Sequence, residues 1–157
     1  MEWATVVGTV MGAVIGMGST LLGERVRWRR SLGEQERSEL RTAYARYLDA
    51  ATLARDAVSL ASRSLALAPQ ARAEQARPAI QDNAVYARQY ELELVAPAEV
   101  VTKARAATRA LGDYRDVVMA GATYETAECA EARRAFRVAR QDVMDAMRST
   151  LDRGRGR

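Results

Sequence analysis

Residues 3 to 23, from Trp3 to Gly23, run for 21 positions without a charged side chain. As a helix they would span about 31 Å, close to the roughly 30 Å hydrocarbon thickness of a bilayer. Arg25, Arg27, Arg29 and Arg30 follow almost at once. No other feature constrains the fold as strongly, because a segment of this length and polarity predicts a single membrane-spanning helix that holds the rest of the chain on one side. A secretory signal would need a positively charged start, and the only charge before the apolar run is Glu2. Basic residues on the far side of the span favour retention in the cytoplasm. The expected location is the inner (plasma) membrane, single-pass, with the N-terminus out and the remainder cytoplasmic. Trp3 and Trp28 lie near the two ends, where indoles sit among headgroups. Arg25, Arg27, Trp28, Arg29 and Arg30 are the expected lipid-headgroup contacts, each arginine contributing about 1 kcal/mol near an anionic surface.

The competing reading of the run is a buried helix of a globular core. Glycines 8, 12, 16, 18 and 23 argue against it, since each costs about 1 kcal/mol relative to alanine in a helix in water. In a bilayer, where the backbone must close its own hydrogen bonds, glycine is tolerated. Ala4, Gly8, Gly12, Gly16 and Thr20 recur every fourth residue and form one flat stripe. Val6, Val10, Val14, Met17 and Leu21 lie largely away from it. A small-residue stripe lets two membrane helices approach closely, so self-association into a homo-oligomer is expected.

The remaining chain predicts an all-α fold: the N-terminal transmembrane helix followed by an antiparallel three- or four-helix cytoplasmic bundle. The domains read as 1–30, the span with its arginine cluster; 31–152, the bundle; and 153–157, a disordered basic tail. Residues 24 to 67 predict one long helix with a possible bend at Gly33. Its seam is Leu40, Tyr44, Tyr47, Ala51, Ala54, Val58, Ala61 and Leu65, at alternating spacings of four and three. Pro69 and Pro78 flank a connector, 68–79, expected to hold a short helix. Residues 79 to 95 predict a second helix; Glu91 to Val95 alternates like a strand, but no second strand exists to pair with it. Pro97 and Glu99 suit a helix start, and Val100, Ala104, Ala107, Leu111, Tyr114 and Val118 repeat the four-three spacing. Gly121 is the expected stop and Thr123 the expected cap of a last helix from about Tyr124 to Leu151. That helix has the stripe Cys129, Ala132, Phe136, Ala139, Val143 and Met147.

Little in the sequence suggests catalysis. Histidine is absent, which removes the commonest general base and metal ligand. Cys129 lies on an apolar stripe and reads as a small buried hydrophobe; alone, it excludes an internal disulfide. Asp113 with Asp116, and Glu128 with Glu131, sit one turn apart beside arginines and read as solvated faces rather than a di-metal centre. The glycines of residues 8 to 18 lack the following lysine of a phosphate loop. Tyr44, Tyr47, Tyr86, Tyr90 and Tyr114 fall near interior stripes and read as core rings with hydroxyls at the rim. No cofactor or metal is expected.

Two stretches carry a resemblance. Gly18-Ser-Thr-Leu-Leu-Gly-Glu-Arg-Val-Arg-Trp-Arg-Arg30, with Arg41-Thr-Ala-Tyr-Ala-Arg-Tyr-Leu48, looks like the opening of a group of short actinomycete membrane proteins of unknown activity. Glu91-Leu-Glu-Leu-Val-Ala-Pro-Ala-Glu-Val100 resembles their central connector. The layout is also similar to the membrane-associated KilB proteins implicated in plasmid spread. The resemblance implies a location and a fold, and no catalytic mechanism.

The expected function is therefore a non-enzymatic, membrane-anchored helical interaction or scaffold protein. Its partners would be the lipid bilayer, further copies of itself and a cytoplasmic protein. Two rivals remain at this point. One is a small membrane-perturbing or plasmid-transfer accessory protein, although only Thr5, Thr9, Ser19 and Thr20 are available to line a pore. The other is nucleic-acid binding near the membrane. The pI of about 9.6 invites it, but the formal charge of +4 is modest and part of it lies in the arginine cluster and tail, so nucleic acid is the least expected partner.

Overall fold

The structure is a computed structural model that describes residues 34–153. The chain divides into two units, Met1–Ser38 and Glu39–Arg157. Of the first, residues 34–38 are described and are helical. The expected span, its stripe Ala4, Gly8, Gly12, Gly16 and Thr20, and the headgroup residues Arg25, Arg27, Trp28, Arg29 and Arg30 lie outside the described residues. Among the described residues no helix is long and apolar enough to cross a membrane.

The described residues form an all-α structure. Helix α1 runs over 34–63, α2 over Pro69–Ala76, α3 over Ala79–Asp82, α4 over Val85–Val95, α5 over Ala98–Met119 and α6 over Ala127–Arg153. Together they make an up-down-up-down bundle in which α2, α3 and α4 form one broken leg. The directions follow from contacts at the ends. Tyr47 of α1 meets Ala104 of α5, and the Tyr124 amide beyond α5 donates to the Ser62 carbonyl near the end of α1, so α1 and α5 run the same way. Arg153 closing α6 reaches Glu99 opening α5 at 3.2 Å, so these two are antiparallel.

The periodicities locate the core well. Tyr44, Tyr47, Ala51, Ala54, Val58 and Ala61 of α1 are buried, as are Val100, Ala104, Ala107, Leu111, Tyr114 and Val118 of α5. Cys129, Phe136, Val143 and Met147 complete the core from α6. Leu65 breaks the expected pattern: α1 stops at 63, and Leu65 is 60% exposed. The Ser62 and Ser64 hydroxyls donate back to the carbonyls of Ser59 and Leu60. Such bonds compete with the helical ladder and help end it before the proline is reached.

The second leg is not one helix. Ala84 has φ 54° and ψ 30°, a left-handed conformation costing a non-glycine residue about 1–2 kcal/mol. In an unbroken helix Ile80 and Val85 would point about 140° apart, at 100° per residue. Both are buried, and the left-handed step lets them face the same core. The stripe it sets on α4 is Val85, Gln89 and Leu92. Tyr86 and Tyr90 therefore lie off the interior, 47% and 63% exposed, which corrects their expected place in the core.

The end of α5 is a Schellman motif. Gly121 adopts φ 108°, its amide bonds to the Val118 carbonyl, and the Ala122 amide bonds to Val117. The cap of α6 falls three residues later than expected. The Cys129 amide bonds to the Thr126 hydroxyl at 3.4 Å, whereas Thr123 supplies a carbonyl to the Thr126 amide and hydroxyl. Arg153, assigned to the tail from sequence, belongs to α6, and its guanidinium donates to the Ser149 carbonyl. Residues 154–157 lie outside the described residues.

Gly112 lies inside α5, and a Cβ built there would meet nothing within 4 Å. Gly112→Ala is expected to stabilise the bundle by about 0.5–1 kcal/mol, since only helix propensity changes. Thermal unfolding followed by circular dichroism should show the midpoint rise by about 2–5 °C; a fall would mean that something must fit over this glycine.

Candidate functional site

Three constellations of polar side chains stand out among the described residues, and each is built from helices that the sequence separates. The first is a cleft of about 380 Å³ between α4 and α5, lined by Tyr86 and Gln89 on one wall and Arg105, Arg109, Asp113 and Asp116 on the other, among other residues of α5. Glu93 of α4 contacts two of the lining residues. It accepts from Arg105 Nε at 2.9 Å and Nη2 at 2.6 Å, a two-pronged pair, and its Oε1 also accepts from Gln89 Nε2 at 2.8 Å. These donors, Arg105 foremost, hold the Glu93 carboxyl down at about 2. Arg115 pairs with its neighbour Asp116 at 2.7 Å. Arg109 and Asp113 are exposed, and neither side chain makes an ion pair among the described residues.

The Glu93 pair makes a testable link to pH. A carboxyl whose folded value is depressed contributes stability that is complete above its unfolded value near 4.5 and is lost as pH falls toward about 2. Urea midpoints measured between pH 6 and pH 2 should therefore decline more steeply for the wild type than for Glu93→Gln. Parallel declines would remove the pair from the acid response.

The second constellation joins α1, α6 and the turn between α5 and α6. Arg63 stacks on one side of the contact with the Tyr124 ring at 3.9 Å from its centroid, and Arg133 stacks on the ring at 3.8 Å. Arg133 also donates to the Tyr124 carbonyl at 3.3 Å. Nearby, Arg72 of α2 is buried and donates to the carbonyls of Leu67 at 2.8 Å and Gly121 at 3.2 Å. One guanidinium thus ties the loop after α1 to the stop of α5.

The third is internal. The Tyr47 hydroxyl donates to the Ala104 carbonyl at 2.8 Å and lies 3.1 Å from the Thr108 hydroxyl. A phenol has one proton, so Thr108 is the donor of the second bond. Burial pushes Tyr47 up to about 12, with Thr108 opposing. Cys129 is fully buried, and burial pushes its thiol up against the opposing influence of Arg133, Tyr114 and Ser62. A buried thiol held in its protonated form is inert.

The pKa displacements of Glu93, Tyr47 and Cys129 all lead away from neutrality. They reinforce the states these groups already have near pH 7, an ionised carboxyl and a protonated phenol and thiol. Among the described residues no group of three potential metal ligands converges. Asp113, Asp116, Glu128 and Glu131 are exposed, as their positions beside arginines suggested. The clefts and stacks were not legible in advance because their partners lie far apart in sequence; Arg105 and Glu93, for example, are 12 residues apart across the Pro97 break. Comparison with protein families, with curated proteins and with solved structures gives no match.

Proposed function

We propose that this protein is a non-enzymatic interaction module anchored to the inner membrane by residues 3–23, with its helical bundle on the cytoplasmic side. The observation that carries the reading is the 21-residue uncharged run followed by Arg25, Arg27, Arg29 and Arg30. The resemblance to short actinomycete membrane proteins supports it. So does a bundle whose perturbed groups are all locked away from neutral pH. Confinement to one plane raises the effective concentration of the bundle toward any cytoplasmic partner, and the stripe Ala4, Gly8, Gly12, Gly16 and Thr20 gives copies a surface on which to associate. An accessory role in plasmid transfer, which the KilB likeness suggests, is an alternative to this reading.

Fractionation tests the anchor. Full-length protein should sediment with membranes and resist extraction by alkaline carbonate, whereas residues 31–157 should stay in the supernatant. Full-length protein in the supernatant would end the proposal. Gly12→Ile should weaken association of the isolated span in micelles at least fivefold, because a branched side chain holds the helices apart. A salt-sensitive shift of labelled DNA by the full-length protein would favour the nucleic-acid alternative instead.

A further inference from the structure

The exposed side of α5, part of which lines the open α4–α5 cleft, carries a charge pattern that packing within the bundle does not use up. From Thr102 onward its exposed residues are Thr102, Arg105, Ala106, Arg109, Asp113 and Asp116, with Ala120 at the cap. All of these except Arg105 pair off around Leu111: Thr102 with Ala120, Ala106 with Asp116, and Arg109 with Asp113. Within this stretch the basic members, Arg105 and Arg109, come before the centre and the acidic members, Asp113 and Asp116, after it; Glu99, further back, is already paired with Arg153. Arg109 and Asp113 sit one turn apart, yet they form no ion pair with each other or with any other described residue.

A helix face that is positive in one half and negative in the other is complementary to itself when reversed. Two copies of α5 laid antiparallel about a two-fold axis level with Leu111 bring each Arg109 against the other copy's Asp113. The same register brings each Arg105, already paired with Glu93, near the other copy's Asp116, already paired with Arg115, so the two Arg109–Asp113 pairs carry the contact. In a two-fold contact every favourable pair occurs twice. A parallel arrangement would instead put like charge on like charge. Thr102, Ala106 and Ala120 are small and let the backbones approach. Gly112, with open space over it, and the exposed rings of Tyr86 and Tyr90 lie on the flank.

We propose that a second copy of this chain docks on α5 in this antiparallel register, so that the bundle carries a self-association surface separate from the glycine stripe. The contact rests on the α5 face alone and does not depend on membrane attachment, although confinement to one membrane would strengthen it.

The test uses the full-length protein in detergent micelles or, should fractionation find it outside the membrane, in buffer. The Gly12→Ile background keeps association through the span from masking the result. Arg109→Asp and Asp113→Arg each oppose like charges at both contacts, so each variant alone should lose dimer at least fivefold by analytical ultracentrifugation. An equimolar mixture of the two restores opposite charges at both contacts and should regain it. A monomeric parent, single variants that dimerise like the parent, or a mixture that fails to recover would each overturn the proposal. Site-specific oxidation provides a second readout, because the fully buried Cys129 does not compete. Arg109→Cys mixed with Asp113→Cys should form a mixed disulfide dimer at least fivefold above either variant alone; equal yields in all three samples would also overturn it.

Discussion

Truncating Tyr47 to alanine is expected to remove about 3–5 kcal/mol of stability, the range for deleting a large buried ring. Tyr47 is 1% exposed, in the middle of the α1 seam, and joins α1 to α5 through the Ala104 carbonyl and the Thr108 hydroxyl. Tyr47→Phe separates the two contributions. It keeps the ring and deletes the hydroxyl, so the loss should be only about 1–2 kcal/mol. Ala104 keeps its place in the helical ladder, and Thr108 can turn its hydroxyl to that same carbonyl one turn back. Chemical denaturation followed by circular dichroism measures both variants. Because a domain of this size is stable by only about 5–15 kcal/mol, the alanine variant should lose a large share of its cooperative transition. Similar losses for alanine and phenylalanine would mean that the hydrogen bonds, rather than the ring, hold α1 in place. The phenol also carries a pH signature. Its folded value is raised to about 12, so its contribution is complete below the unfolded value near 10 and is lost as pH rises through about 12.

The second large effect is expected at Arg72. Arg72→Met removes the donors to the Leu67 and Gly121 carbonyls while keeping much of the side-chain volume. Hydrogen bonds from a charged donor are worth about 1.5–3 kcal/mol each, and partial rehydration of the freed carbonyls offsets some of that, so the expected loss is about 2–4 kcal/mol. Arg72→Lys should recover little of it, because a single ammonium does not reproduce a planar fork reaching two carbonyls on separate segments. Denaturation midpoints give the size of the loss. Faster amide exchange confined to the turn between α5 and α6 would show where it acts. Full recovery by lysine would reduce Arg72 to a simple charge effect.

Arg72 also shows the kind of feature that sequence reading passes over. It sits in an alanine-rich connector between two prolines and resembles any solvated arginine there. Its burial comes from where α2 crosses the ends of α1 and α5, which no spacing within 68–79 encodes. Tyr124 is similar. Its partners Arg63 and Arg133 come from α1 and α6, on either side of the chain segment that holds it. In the α4–α5 cleft, Arg109 and Asp113 could be placed on an outer face from spacing alone. The Glu93 carboxylate clamped by Arg105 and Gln89 could not, because two of its three members belong to a helix whose orientation depends on Ala84.

What the sequence determined by itself is the class of fold and the inner faces of its three long helices. Residues at spacings of three and four share one side of any α-helix, so the stripes of α1, α5 and α6 are a property of the chain before any packing occurs. The stops at Pro97 and Gly121 are equally local, since they depend on a missing amide and on a missing Cβ. Tertiary structure decided the broken second leg, the exposure of Tyr86 and Tyr90, the burial of Arg72 and the clamp on Tyr124. Each of these depends on which helix arrives alongside, and a left-handed alanine is tolerated only because burying both Ile80 and Val85 outweighs its local strain.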